Sequence, residues 1–280
     1  MSKITLSVDS TADLGDELYK KYDLRVINLG VVIGETVYVD SEITAQDIYK
    51  AMEVDNLVPR TNAALEVDYR ELFEEATKDG GSIIHFNLSS QLSASHANAK
   101  RAAQGLPRVY IVDTKTMSVG TGFAAIKARE LVNAGRSADE IVLAITEILS
   151  KMDTSLIIND LKYLHKGGRV TGIKLLGANL LKIRPSLQVE PSGKLVPGKK
   201  FKGKFSQAVK EWVQYKIESN PNANKEMLVM AHSDMEAEVV QSVYDEFKAA
   251  GFKEVLCVPL GTTVTTHCGR NTIGAVIIND

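Results

Sequence analysis

The sequence predicts a two-domain α/β protein, with an N-terminal α/β domain built on a mainly parallel sheet and a C-terminal α+β domain. The first half alternates strand-like and helix-like segments, and this order implies parallel pairing because parallel strands need crossover connections. After about Lys151 the order changes, and a hairpin and mixed elements follow. A chain of 280 residues has room for two ordinary domains. We place them at residues 1–151 and 152–280.

The N-terminal elements follow from residue type and spacing. β-branched segments bounded by polar turns predict strands at Ile4–Ser10, Leu24–Ile33, Ser82–Leu88 and Val109–Asp113. Helical spacing of apolar residues predicts helices at Thr44–Met52, Val67–Lys78, Leu92–Gln104 and Ser118–Asn133. Gly135 then suits a C-terminal cap, and Ser137 suits the N-terminal cap of a further helix.

The C-terminal elements have a different order. Strands are predicted at Thr154–Asn159, Met227–His232 and Glu254–Leu260. Helices are predicted at Val170–Ile183, Phe205–Glu218 and Glu236–Ala250. Between them, Ser186–Lys204 has the turn residues of a hairpin, at Pro191-Ser192-Gly193 and Pro197-Gly198. A hairpin inside a mixed order is typical of an α+β domain.

Composition excludes several classes of protein. Lysine and arginine number 33 and aspartate and glutamate 35, and this net charge of −2 disfavours a general nucleic-acid binder. The two cysteines, Cys257 and Cys268, form no C-x-x-C pair, which argues against a zinc or redox motif and against a disulfide scaffold. No run of about 18 apolar residues occurs. We therefore expect a soluble protein of the reducing cytoplasm, without stable membrane insertion.

The familiar catalytic motifs have little support. Residues 120–125 fit the dinucleotide pattern G-x-G-x-x-A, but six residues separate Gly120 from the strand end at Asp113, so we interpret these glycines as helix-packing residues. The chain contains no G-x-x-x-x-G-K-[ST] loop and no G-x-S-x-G elbow. The five histidines have no ligand spacing, so the sequence predicts no metal site.

Three polar clusters remain as candidate sites. His267 lies in the hydroxyl-rich run Gly261–Gly269, which we expect to be a loop after a strand, and the spacing leaves its role open between binding and structure. Four serines in Ser89–Ser95 open a predicted helix; one would cap it, and the cluster suits a carboxylate or a phosphate. Thr61 and Asn62 precede another helix and have a normal capping arrangement.

A fourth cluster is basic. Lys199, Lys200, Lys202 and Lys204 crowd the predicted hairpin, and no acid occurs between Pro191 and Lys210. Such lysines can form a solvated edge that prevents strand-to-strand aggregation. They can also form a docking patch for an acidic partner. Residue type alone leaves both interpretations open.

An ordered set of short motifs resembles the DegV family of bacterial fatty-acid-binding proteins, nearly from end to end. The matching segments are D-S-T-A-D-L at Asp9–Leu14, S-S-x-L-S at Ser89–Ser93, G-G-R at Gly167–Arg169, and a segment similar to I-K-P at Ile183–Pro185. Tyr38 and Asp40 fit the tyrosine and the aspartate of the family's G-x-x-Y-x-D stretch. Departures occur at Thr61-Asn62-Ala63-Ala64, where the family often has T-S-Q-P, and after His267, where H-x-G-P-G becomes H-C-G-R-N.

The resemblance implies a fold and a function. An acyl chain would lie between an α/β domain and an α+β domain, with Thr61, Ser93 and His267 at its carboxylate. Family members serve as the lipid-carrying subunit of a fatty acid kinase. A separate kinase protein brings ATP and magnesium and phosphorylates the carboxylate to an acyl phosphate for phospholipid synthesis. This chain would then need no cofactor and have no turnover of its own, and Lys199, Lys200 and Lys202 would form a kinase-docking patch.

Two other functions are compatible with the sequence. The first is a kinase or transferase for a small polar substrate, related by fold to dihydroxyacetone kinase, which would have a small polar pocket. The second is a structural or regulatory interaction protein, for which the lysines of the hairpin are the sole indication. A bound fatty acid would separate both from the carrier.

Overall fold

The computed structural model describes residues 3–171 and 183–280. The helices in these ranges are α1 (Gly15–Lys21), α2 (Ala45–Glu53), α3 (Glu66–Thr77), α4 (Ser95–Ala102), α5 (Val119–Asn133), α6 (Ala138–Ser150), α7 (Leu161–Gly167), α8 (Phe205–Ser219), α9 (Ala237–Ala249) and α10 (Thr262–Cys268). The strands are β1 (Ile4–Asp9), β2 (Leu24–Ile27), β3 (Gly30–Ile33), β4 (Thr36–Val39), β5 (Arg60–Asn62), β6 (Ser82–Asn87), β7 (Val109–Asp113), β8 (Met152–Ile158), β9 (Ile183–Val189), β10 (Leu195–Lys202), β11 (Met227–Ser233), β12 (Glu254–Pro259) and β13 (Thr272–Ile278). Across these ranges no helix is both long and apolar enough to span a bilayer.

The N-terminal sheet is parallel throughout, in the order β2-β1-β6-β7. Val8 of β1 lies between Val26 of β2 and Phe86 of β6. All six residues of β6 are buried, as expected for a parallel strand covered on both faces. The predicted mainly parallel N-terminal sheet is therefore confirmed.

The C-terminal sheet is mixed and has the order β10-β9-β8-β13-β11-β12. The β11–β12 pair is parallel and the other pairs are antiparallel, including the predicted hairpin of β9 and β10. This confirms the predicted α+β character. All six strands start at or after Met152, yet one core cluster joins Phe86 of the first half to Val229 and Val276 of the second. The division into domains at residues 151 and 152 therefore stays a prediction.

A third, antiparallel sheet with the order β4-β3-β5 corrects two predictions. The single strand expected at Leu24–Ile33 is two strands, since β2 joins the parallel sheet and β3 joins this one. Thr61 and Asn62 do not cap a helix; they lie in β5, where Thr61 is paired with Val31. Cross-strand pairing decides both outcomes, and local residue type does not reveal it.

Other differences concern single helices and strands. The expected loop at Gly261–Gly269 contains the helix α10, and α1, α7, β4 and β13 were not predicted. Four of the seven residues of α10 are threonines, which have low intrinsic helix propensity; α10 packs against α7 and α2. Most of the helix predicted at Val170–Ile183 lies outside the described residues. Its first residue, Val170, forms a β-bridge with Leu195, and Ile183 begins β9.

Candidate functional site

A cavity of about 610 Å³, counting its open mouth, lies between the two halves of the chain. Most of its lining side chains are apolar: Leu29, Ala63, Leu88, Leu92, Met117, Leu164, Leu195, Val264 and Cys268. Its polar lining includes Thr61, Ser93, Arg169 and His267. The three residues that the family resemblance assigned to a carboxylate, Thr61, Ser93 and His267, therefore line one cavity, whose apolar walls suit a hydrocarbon chain.

Thr61 and His267 come together although 206 positions separate them in the chain. The Thr61 hydroxyl lies 2.9 Å from Nε2 of His267. Thr61 is placed by the pairing of β5 with β3, and His267 lies in the last turn of α10. A hydroxyl and a neutral imidazole can each donate to a carboxylate that replaces their mutual hydrogen bond.

The His267 imidazole is neutral at neutral pH. Burial, together with the nearby positive charge of Arg169, lowers the pKa of His267 to about 4. Its Nδ1 atom has no hydrogen-bond partner among the described residues. A neutral imidazole offers a hydrogen bond and not a charge, so any charge opposite a bound anion has to come from another side chain.

Arg169 supplies that charge, and sequence reasoning missed it. It ends the G-G-R segment, lines the cavity, and donates a hydrogen bond from Nη1 to the Gly167 carbonyl (2.8 Å). Gly167 is needed for close approach, since a Cβ there would lie 2.3 Å from Nδ1 of His267. The G-G-R motif was a signal for this position, but nothing in its sequence context indicates a cavity.

Ser93 lines the cavity from the segment that follows β6. Its Oγ accepts a hydrogen bond from the Ser95 amide (3.2 Å) and lies 2.9 Å from the Ser95 hydroxyl. The helix expected from Leu92 begins at Ser95, and its N-cap position, Ala94, has no side-chain cap, which corrects the expectation of a serine cap there. Ser89 instead donates to the Gly193 carbonyl of the hairpin (2.7 Å) and so ties the two halves together.

The lysines of the hairpin lie on a different surface. Lys199, Lys200 and Lys202 are exposed on β10 and line a shallow groove with Tyr215 of α8. The ammonium group of Lys199 lies 4.3 Å from the centre of the Tyr215 ring, a cation–π contact. The lining of the cavity, as the described residues form it, includes none of the three.

Within residues 3–171 and 183–280, no group of three or more His, Cys, Asp or Glu side chains has the arrangement of a metal site. Both cysteines are free thiols, Cys257 exposed and Cys268 buried.

Comparison with known proteins finds consistent similarities. The sequence profile of the DegV family matches residues 3–280. A fatty acid-binding protein of Thermotoga maritima is 30% identical over 97% of this chain and 96% of its own length. Among solved structures, a fatty acid-binding DegV family protein from Thermus thermophilus is 26% identical with a TM-score of 0.91, covering 99% of this chain and 100% of the other. A DegV lipid-binding protein from Thermotoga maritima is 28% identical with a TM-score of 0.87, covering 99% and 98%.

Proposed function

This chain belongs to the DegV family, and from that premise we propose that it binds a long-chain fatty acid in the cavity between its two halves. The observation that carries the proposal is a mainly apolar lining that also contains Thr61, His267 and Arg169. The hydrocarbon tail would contact the leucines and Met117. The carboxylate would accept hydrogen bonds from Thr61, Ser93 and His267 and face the guanidinium of Arg169.

The energetics favour binding that is driven by the tail. A sixteen-carbon acid has about 14 methylenes, which at about 0.8 kcal/mol each provide roughly 11 kcal/mol before costs. Each hydrogen bond to the charged head adds about 1.5–3 kcal/mol. Association and ordering subtract several kcal/mol. The tail therefore provides most of the affinity, and the polar residues determine where the carboxylate lies.

We further propose that the protein presents this carboxylate to a separate kinase. A carboxylate oxygen would attack the γ-phosphorus of ATP on the partner, forming an acyl phosphate for phospholipid synthesis and releasing ADP. The chain has no P-loop motif, and its role would be to hold and orient the acid. ATP and magnesium would belong to the kinase, and this chain would be a carrier without turnover of its own.

Two further proposals concern the surroundings of the protein. The exposed side chains of Lys199, Lys200 and Lys202 form a basic surface that could dock an acidic face of the kinase. We also place the protein in the cytoplasm. Its free thiols at Cys257 and Cys268 support a reducing compartment.

Native mass spectrometry of freshly purified protein tests the central proposal. We expect a bound mass of a long-chain fatty acid that unfolding releases, and uptake of added oleate by stripped protein. The Leu164→Trp variant places a larger side chain in the cavity. Loss of the bound fatty acid from this variant would show that the fatty acid lies in the cavity. A parent protein that carries no fatty acid and takes up neither oleate nor palmitate would refute fatty-acid binding.

A further inference from the structure

The first turn of α10 is held by two aspartates of the N-terminal half. The Asp40 carboxylate accepts hydrogen bonds from the Thr263 amide (2.9 Å) and the Thr262 hydroxyl. The Asp13 carboxyl accepts one from the Gly261 amide (3.0 Å). These bonds join residues about 220 to 250 positions apart and occupy amides that a helix leaves unpaired at its start.

Both acidic side chains are buried: Asp13 is 3% exposed and Asp40 is 7% exposed. Neither forms an ion pair with a described residue. Burying a carboxylate without compensating contacts is very unfavourable. Burial raises the pKa of Asp13 to about 8; the Asp40 charge adds to this, while bonds from Ser118 and Gly261 oppose it. At neutral pH the Asp13 carboxyl therefore carries its proton.

The backbone is adapted to this arrangement at three points. Asp13 has φ 51° and Ser118 has φ 50°, both in a region that non-glycine residues rarely adopt. The Ser118 hydroxyl lies 2.5 Å from Oδ2 of Asp13. A Cβ on Gly261 would lie 2.7 Å from Oδ1 of Asp13, so only glycine permits this approach. Unfavourable backbone conformations persist where the surroundings hold them, and they concentrate at functional sites.

We propose that Asp13 and Asp40 are positioning residues, which fix α10 so that His267 reaches Thr61 at the cavity. The helix has seven residues, and His267 follows Thr263 by four positions, about one turn or roughly 6 Å along the axis. A short helix that is held at its first turn has little freedom at its last. The inference rests on the proposed function, because its purpose is to place His267 at the carboxylate.

The test measures the pKa of His267 directly. NMR of protein with ¹⁵N-labelled histidine follows the titration of the imidazole, and a His267→Gln variant assigns its signal. In the parent we expect the His267 pKa to lie well below its ordinary value of about 6.5. In Asp13→Ala and Asp40→Ala, the imidazole should become more exposed and its pKa should rise toward that value. Oleate should bind about tenfold more weakly, the loss of one hydrogen bond of about 1.4 kcal/mol.

Three further variants separate positioning from general destabilisation. Asp13→Asn should behave like the parent, since an amide has the shape of a protonated acid. Thr262→Val removes the hydroxyl that bonds the carboxylate and the backbone carbonyl of Asp40 but leaves the Thr263 amide bond, so it should give an intermediate shift and stays informative if the alanine variants do not fold. Asp153→Ala removes a carboxylate that binds Lys216 and Asn220, far from α10 in the fold. This variant should be less stable than the parent, but the pKa of His267 should stay the same.

The positioning role would be overturned if His267 titrated as it does in the parent in all three variants, Asp13→Ala, Asp40→Ala and Thr262→Val. An equal shift in Asp153→Ala would also overturn it. Failure of the parent to bind oleate would count against fatty-acid binding alone, because the titration measures the position of His267 without a ligand.

Discussion

At the scale of single residues, the site depends on a few hydrogen-bonding groups in an apolar cavity. Thr61 and His267 are in contact, Ser93 is partly engaged with Ser95, and Arg169 is the cationic side chain of the lining. Each can donate a hydrogen bond to a carboxylate. This chemistry suits holding an acid, which leads to two predictions about particular side chains.

Thr61→Val combined with Ser93→Ala should weaken oleate binding about a hundredfold or more while leaving it measurable. The variants remove two head-group donors, each worth about 1.5–3 kcal/mol before rearrangement, and leave the tail contacts intact. Displacement of a fluorescent fatty acid measures the affinity. Ser93 also accepts the Ser95 amide, so a melting curve has to accompany the measurement. Thr146→Val is the matched control, because its exposed hydroxyl bonds only within α6. Parent-like affinity in the double variant would remove both residues from the site.

His267 should make the fold less stable as the pH falls from about 6.5 to about 4. Its folded-state pKa is lowered to about 4, so over this interval the unfolded chain binds the proton and the folded protein does not. The stabilisation is fully present above the unfolded pKa and is lost on acidification. In His267→Gln this loss should be smaller by up to about 3 kcal/mol. Urea unfolding between pH 4 and 7 measures the difference, and parallel curves for the two proteins would contradict the lowered pKa.

At the scale of elements, the hairpin of β9 and β10 has two separate tasks. Its turn at Gly193 contacts Ser89 and helps join the halves, while its outer strand exposes Lys199, Lys200 and Lys202. Lysines on an edge strand prevent aggregation in either case. If these lysines also dock a partner, their charge should affect the rate of association with that partner.

Reversing Lys199, Lys200 and Lys202 to glutamate should slow association with the cognate kinase and leave oleate affinity nearly unchanged. Exposed charges act mainly on association, and salt screens them over a Debye length of about 8 Å at physiological ionic strength. Surface plasmon resonance at low and high salt measures the rates. Reversal of Lys20, Lys78 and Lys248, exposed lysines on other surfaces, makes the same change in net charge and is the control. Equal rates for both triple variants at low salt would return the hairpin lysines to a purely protective role.

At the scale of the whole molecule, the cavity is lined by both halves of the chain. Met117 of the first half packs in one core cluster with Leu164, Leu195 and Val264 of the second, and all four line the cavity, so a ligand there contacts side chains that join the halves. A ligand that binds only the folded state stabilises it in proportion to the logarithm of its concentration. Binding should therefore appear as a single, cooperative increase in melting temperature.

Oleate at about 100 times its Kd should stabilise the protein by about 2.7 kcal/mol. For a chain of this size that corresponds to an increase in Tm of roughly 5 °C or more. Differential scanning fluorimetry measures it. Dihydroxyacetone should leave the Tm unchanged, because it has no hydrocarbon chain to bury against the apolar part of the lining. A shift with dihydroxyacetone and none with oleate would favour the small-substrate kinase.

The sequence by itself determined the features that depend on short-range pattern. The Ser137 cap is confirmed, with the Glu140 side chain accepting the Ser137 amide at 2.8 Å, because capping involves neighbours along the chain. The same holds for the parallel sheet and the hairpin, whose alternation and turn residues are local. Ordered motifs also indicated the family and placed Thr61, Ser93 and His267 in one group.

Only the tertiary structure decided how distant segments meet. Thr61 looked like a helix cap and lies in a strand, because its partner Val31 is 30 positions away. The threonine-rich run before His267 looked like a loop and forms α10, which Asp13 and Asp40 hold at its first turn. Arg169 lines the cavity, and its local sequence did not indicate that position. Propensity and periodicity act over a few residues, whereas these outcomes come from packing and burial between segments up to about 250 positions apart.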